Sequence, residues 1–286
     1  MPSLIDIRRR IRSVKNTQQI TKAMKMVAAA RLRKAQDRIL AARPYAGLLE
    51  QMLANIAAAA GNDERVATLP LLARRKEKRI QIVLLTADRG LAGAFNSNLI
   101  RATQKFLAER PDNEHSIECV GRKGRDFFRR RNANITGEHL GIFNKALASD
   151  ARAIAEVVTK RYADAEIDAV YLVYNEFKNV VSQKVTIKQI LPVTLPTNAQ
   201  PIDYIYEEPP VVLLNALLPK YVENSIYTAI LESATSEHAA RMTAMDSATS
   251  NASDVIDKLT LYMNRVRQAS ITKEIIEVVS GAAALE

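Results

Sequence analysis

"LESATSEHAARMTAMDSATSNASDVIDKLTLYMNRVRQASITKEII", residues 231–276, contains no glycine or proline and repeats one pattern from end to end. Leu231, Ala234, His238, Arg241, Met245, Ala248, Ala252, Val255, Leu259, Tyr262, Val266, Ala269, Lys273 and Ile276 alternate spacings of three and four. Such spacing holds one stripe of a helix against a partner helix, so the stretch predicts about six heptads of coiled coil without a slip. Upstream, "VVLLNALL" (211–218) reads as a short apolar turn after "EEPP". Pro219 can open the long helix there, because the first helical residue needs no intrahelical N–H bond. Downstream, "RQASITKEIIEVVSGAAALE" (267–286) carries no charge between Glu277 and Glu286. Helix tips left in water usually carry charge and fray, so this apolar tip is expected to be covered by another molecule.

Residues 3–59 have the same period. Ser3 is placed to cap the helix start, with Asp6 in the first turn. Ile7, Ile11, Val14, Gln18, Thr21, Lys25, Ala28, Leu32, Ala35, Ile39 and Ala42 form a seam of about five heptads, interrupted by polar Gln18, Thr21 and Lys25. A second stripe through Ile20, Met24 and Val27 runs beside it, which predicts burial of more than one face. Pro44 is expected to kink or restart the helix, a weaker helix continues to about Ala60, and "GND" ends it. At ~1.5 Å per residue the first helix spans roughly 60 Å and the last roughly 90 Å. Paired antiparallel, the last would overrun the first by about 30 Å. A two-helix coil has no internal core to bury such an overhang.

Between the helices the period changes. "RIQIVLL" (79–85), "SIECVG" (116–121) and "DAVYLVY" (168–174) are continuous apolar runs of the kind buried on both faces of a sheet. "SNLIRATQKFLAER" and "DARAIAEVVTKRYADAE" are amphipathic helices between them, and "SQKVTIKQILPV" (182–193) alternates as a more exposed strand does. The order β-α-β-α-β-α-β-β predicts an α/β, Rossmann-like domain with a mainly parallel sheet over 76–206. It would stand beside an antiparallel two-helix coiled coil of residues 1–60 and 210–286, with connections at 61–75 and 207–210.

Composition agrees. An aromatic share of 5%, no Trp and 9 Gly in 286 residues disfavour an all-β protein and suit Ala-rich helices. The lone Cys119 excludes an internal disulfide or a cysteine metal cluster. No signal-peptide pattern or ~18-residue apolar run is present, so a direct membrane span is not expected. Residues 1–45 hold twelve Lys and Arg against Asp6 and Asp37, a net +10 that equals the charge of the whole chain. A basic helix of this kind implies an acidic partner surface.

Catalytic chemistry is hard to place. "TADRGLAGAFN" (86–96) stands where a phosphate loop would, with Gly90, Gly93 and Arg89, but lacks both the G-x-G-x-x-G spacing and a following Gly-Lys-Ser/Thr. It reads as a tight strand-to-helix turn. "GRKGRDFF" (121–128) invites the same comparison, with Lys123 and Arg125 as surface charges. His115, His139 and His238 lack metal-ligand spacing, Cys119 lies within an apolar strand, and Asp88 is a lone carboxylate. No catalytic constellation, cofactor site or metal site is expected. Three classes remain: a coiled-coil adaptor threading a partner, a nucleic-acid binder using the basic helix, and a nucleotide-binding enzyme using the sheet. The first accounts for the seam, the charge and the tip together.

"NTQQITKAMKMVAAARLRKAQ" (16–36), "DRGLAGAFN" (88–96), "ARMTAMDSATSNA" (240–252) and "NRVRQASITKEIIEVVSGAAAL" (264–285) resemble the gamma subunits of F-type ATP synthases. The resemblance runs the length of the chain. It implies a non-catalytic central rotor shaft, one copy inside a ring of three alpha and three beta subunits. It also implies the epsilon subunit and the membrane ring of c subunits as partners, and no nucleic acid. Met24, Lys25, Arg241, Gln268 and Thr272 map to the family's contacts with beta-subunit loops. Ile275, Ile276, Val278, Val279, Ala282 and Leu285 form the axle tip in an apolar sleeve, and Tyr204 and Glu207 match the segment facing epsilon. Ala92 replaces a Cys common in the family, and the paired-cysteine insertion of chloroplast members is missing. The absence of a transit peptide before the start motif favours a peripheral place on the cytoplasmic face of a bacterial inner membrane.

Overall fold

The computed structural model of the chain describes residues 3–60, 63–195 and 206–283. They fall into two compact units, one of residues 29–241 and one of residues 1–28 with 242–286.

In the first unit, five strands form one sheet: β1 Arg79–Leu85, β2 Glu114–Val120, β3 Ile135–His139, β4 Ala169–Phe177 and β5 Gln183–Leu191. The order is β3-β2-β1-β4-β5. β1 runs parallel to β2 and β4, β2 parallel to β3, and β5 antiparallel to β4. The apolar runs lie where both faces are covered, since β1 is buried from Ile80 to Leu85. The alternating run became the edge strand β5, antiparallel to its neighbour. The fifth strand that the expected order requires is "ITGEH", β3. At the opposite edge, it is too short and too half-exposed to carry a strand signature of its own. Helices α2 (Phe95–Ala108), α3 (Arg122–Arg129), α4 (Ile142–Lys145) and α5 (Ala148–Ala163) connect the strands.

The terminal helices are longer than the sequence suggests. α1 runs Leu4–Ala59 with Pro44 inside it, and α6 runs Pro210–Ala283 with Pro219 inside it. Neither proline restarts a helix. Each frees one carbonyl, that of Leu40 or Asn215, and all four residues are exposed, so water can satisfy what proline leaves open. "VVLLNALL" is therefore the first part of α6, entered through Pro209 and Pro210. Leu53 and Ile56 of α1, with Leu214, Leu218, Val222 and Ile226 of α6, belong to the same core as the sheet. The compact division thus falls away from the boundaries at 60 and 210.

In the second unit the helix start is capped as expected. The Ser3 hydroxyl accepts from the Asp6 N–H at 3.2 Å, and the Ser3 N–H donates to the Asp6 carboxylate at 3.3 Å. Thr21 and Thr249 share a hydroxyl hydrogen bond of 2.8 Å, and Lys25 Nζ donates to Asp246 Oδ1 at 2.6 Å. Advancing along α1 means retreating along α6, so the pairing is antiparallel. Continued at that register, Leu4 falls opposite about Val266, and residues 267–283 run on unpaired for ~25 Å. Every α1 seam residue from Ile7 to Lys25 is buried or half-buried. The α6 seam does slip: Val255 and Tyr262 are exposed, whereas Ile256 and Met263 take the half-buried positions. A straight helix of 3.6 residues per turn drifts about 20° per heptad from a 3.5 repeat, and the stripe has drifted with it.

Gly121 joins β2 to α3 at φ +91°, and a Cβ there would lie 1.9 Å from the Thr86 carbonyl oxygen. Gly121→Ala is expected to lose at least about 2 kcal/mol, lowering Tm by roughly 4–8 °C in thermal unfolding followed by circular dichroism. An unchanged Tm would contradict the close approach.

Candidate functional site

The polar residues of the α6 seam are tied together. Arg241 Nη2 donates to Glu237 Oε1 at 2.7 Å and to the Gly90 carbonyl at 3.2 Å. Only 12% of the Arg241 side chain and 7% of that of Glu237 are exposed. Burial pushes the Glu237 carboxyl up, with Arg241 pulling part of the way back and Asp88 adding to the rise. His238, beside them, is pushed down to about 4, first by burial and then by the positive charges of Arg241 and Arg31. The guanidinium of Arg241, the residue expected to meet beta-subunit loops, is engaged within the chain and braces α6 against the loop after β1. The sequence reading missed Glu237, although an acid four residues before an arginine on one helix is a pair that spacing alone can supply.

That loop has the internal bonding of a tight turn. Asp88 accepts from the Arg122 N–H at 3.1 Å and the Gly141 N–H at 2.9 Å, lacing the ends of β1, β2 and β3 together. Asn96 Oδ1 accepts from the Ala87 N–H at 2.9 Å, and Thr86 Oγ1 accepts from the Gly124 N–H at 2.9 Å. Leu91, at φ 62°, stands 65% exposed. Arg125 departs from the expectation of a free surface charge: it is half-buried and paired with Asp126 and Glu138. Burial first, then the nearby Glu138 and Glu118, push the Cys119 thiol up to about 12, which leaves it packed and unreactive. His139 Nε2 lies 2.7 Å from buried Glu118, whose carboxylate also accepts from Gln81 Nε2 at 3.0 Å. Among the described residues no group of His, Cys, Asp or Glu could hold a metal ion, and no helix is long and apolar enough to cross a membrane.

The remaining expected contacts sit at the surface of the helix pair. Met24 is half-buried, while Ile20, Met26 and Val27 beside it are exposed, so the second stripe of α1 is not covered by this chain. Lys25 faces Asp246, with 42% and 61% of their side chains exposed. Ten of the twelve cations in residues 1–45 are exposed. Gln268 is exposed, and the Thr272 hydroxyl donates back to the Gln268 carbonyl at 2.9 Å. Ile275, Ile276, Val278 and Val279 are 58–72% exposed on the unpaired run of α6. Ala282 continues that helix, and Leu285 lies outside the described residues. Tyr204 also lies outside them, whereas Glu207 is exposed just before α6.

Two long paired helices, a mainly parallel five-stranded sheet and a run of uncovered apolar side chains define a subunit of a larger assembly, completed by other chains. The family described as ATP synthase matches residues 3–285. The ATP synthase gamma chain of Solibacter usitatus is 66% identical over 286 residues, covering all of both chains. That of an Anaeromyxobacter species is 53% identical over 291 residues, again with full coverage. A chain of the central stalk and c-ring of the Tetrahymena thermophila mitochondrial ATP synthase aligns with a TM-score of 0.62 and 28% identity, over 80% of this chain and 99% of that one. A chain of the Euglena gracilis mitochondrial enzyme reaches 0.66 at 20% identity over 99% and 94%, a likeness of fold. The chain belongs to the gamma-chain family of ATP synthase.

Arg241→Ala leaves the buried Glu237 carboxylate without its cation and is expected to destabilise by about 3 kcal/mol, with Glu237→Gln recovering much of the loss in the double variant. Strict additivity in denaturant titrations would contradict the pairing. His238 is held below its ordinary 6.5, so its contribution to stability is complete above that pH and is lost as pH falls toward about 4. Glu237, raised by burial, acts with the opposite sign: its contribution is present below the ordinary carboxyl value of 4.5 and lost as pH rises. His238→Gln should therefore flatten the loss of Tm between pH 6.5 and 4; a parallel profile would refute the assignment.

Proposed function

We propose that this chain, as a gamma chain of ATP synthase, is the enzyme's central rotor shaft, carrying rotation of the membrane c-ring to three catalytic beta subunits. Ion flow is thereby coupled to ATP synthesis or hydrolysis. The observation that carries the reading is the unpaired run of α6 beyond about Val266. It is helical and exposed from Ile271 through Val279, and it carries the large apolar side chains of Ile271, Ile275, Ile276, Val278 and Val279 beside the charged Lys273, Glu274 and Glu277. Large exposed apolar side chains clustered at a helix end call for a covering surface, and an apolar sleeve made by the ring of alpha and beta subunits supplies one. Such a bearing suits rotation, because dispersion contacts are non-directional while each hydrogen bond would favour one angle.

The shaft comprises residues 1–60 and 210–286, and the foot comprises 76–206, with connections at 61–75 and 207–210. The exposed cations of α1 face acidic loops of the beta subunits, where Met24, Lys25, Gln268 and Thr272 make contact. Arg241 takes part from behind, bracing the Gly90 loop. The foot, with Tyr204 and Glu207, meets the epsilon subunit and the c-ring, at the cytoplasmic face of a bacterial inner membrane. The chain performs no catalysis itself. A ligand or partner shifts an equilibrium only by its differential contacts with the two states. An asymmetric shaft inside three chemically identical sites provides this, since each orientation presents a different face to each site.

Met24 lies among exposed apolar and basic groups, so Met24→Lys adds charge to the surface proposed to meet the beta subunits. In inverted membrane vesicles this variant should assemble and hydrolyse ATP while pumping fewer ions per ATP. Full pumping at normal hydrolysis would contradict the contact.

A further inference from the structure

A cavity of about 220 Å³ lies within the unit of residues 29–241. Arg31, Lys34 and Arg38 of α1 line one side, His238 and Leu231 of α6 another, and Phe143 of α4 a third. We infer that this cavity is a binding site for a phosphate-type oxyanion. Arg31 and Lys34 also belong to the exposed cations of α1 that the rotor reading turns toward beta-subunit loops, so the site is tested on the chain free of those subunits.

Three observations converge. The lining includes three cations and no acid. Glu237, the acid that senses Arg31, is paired with Arg241 at 2.7 Å and does not line the cavity. Arg31 and Lys34 are exposed, so both side chains can reach an anion that enters the cavity. Arg38 is half-buried and donates to the Lys145 carbonyl, which fixes its guanidinium against α4.

The second observation is His238. It is 7% exposed, it lines the cavity, and its Nδ1 makes no hydrogen bond. Buried polar atoms are nearly always paired, so this orphan leaves an imidazole at the cavity wall with hydrogen-bonding capacity unused. The cations and burial keep this imidazole neutral near pH 7, so it has one N–H to donate. An anion with several acceptor oxygens serves the imidazole and the guanidiniums together, and the planar fork of arginine suits phosphate geometry.

The third is size. Pockets for drug-sized ligands occupy about 300–1,000 Å³, and this cavity is smaller. It accommodates one phosphate group with its water, either as the free ion or as the terminal group of a molecule that extends outward.

The test is titration of the purified full chain with inorganic phosphate at fixed ionic strength, read by equilibrium dialysis and by the imidazole ¹⁵N resonances. Saturable binding is expected, with the His238 resonance moving along the same curve. The double variant Arg31→Gln, Lys34→Gln should weaken binding by about tenfold or more, while Lys105→Gln, Lys160→Gln, a matched charge loss on α2 and α5, should change it less than about twofold. Displacement of phosphate by ADP would mean that the site accepts a nucleotide's phosphate, and a lack of displacement would assign it to the free ion; both outcomes retain the site. Lack of saturation, equal binding by the two double variants, or an unmoved His238 resonance would overturn it.

Discussion

The antiparallel register of α1 against α6 is the constraint on which the rest of the structure depends. It is marked by the Thr21–Thr249 hydroxyl pair and the Lys25–Asp246 ion pair. Neither is strong: an exposed pair such as Lys25–Asp246 is worth about 0–1 kcal/mol. Their value is in discrimination. A seam rich in alanine packs almost equally well one heptad either way, whereas a misplaced hydroxyl or ammonium on the seam would lose its partner. Fixing the register settles which part of α6 is covered by α1 and which runs on alone. The exposure of Ile275, Ile276, Val278 and Val279 follows from it.

Deeper along α6 the same helix carries groups that are expensive to bury. Glu237 and Arg241 neutralise one another in a place where either alone would be costly. An apolar pair of similar volume packs about as stably. The charged pair also holds the Gly90 carbonyl, and with it the turn that laces together the ends of three strands. His238 remains neutral beside this pair because two positive charges and burial oppose its protonation.

Much of this was legible in the sequence, for identifiable reasons. Heptads and doubly buried strands write long, regular patterns, so both helices and β1, β2 and β4 could be placed. β3 could not, because five half-exposed residues at a sheet edge have too little apolar content to form a pattern. The prolines misled for another reason: a helix continues more easily through a proline when the carbonyl it frees reaches water, and exposure at Leu40 and Asn215 is a tertiary fact. The slip at Val255 has its origin in the mismatch between 3.5 and 3.6 residues per turn, which a list of spacings hides. At the site, Met24 and the apolar tip were singled out from motif and composition, whereas Glu237, one turn before Arg241 on the same helix, was not. The register itself was not readable, since it depends on two threonines 228 residues apart.

The central claim is that this chain is a single shaft within a ring of other subunits. Native mass spectrometry of the complex that co-purifies with a tagged copy from its own membranes tests it most directly. The account predicts one copy of this chain with three copies each of two larger chains. A monomer or homodimer without such a ring would contradict it.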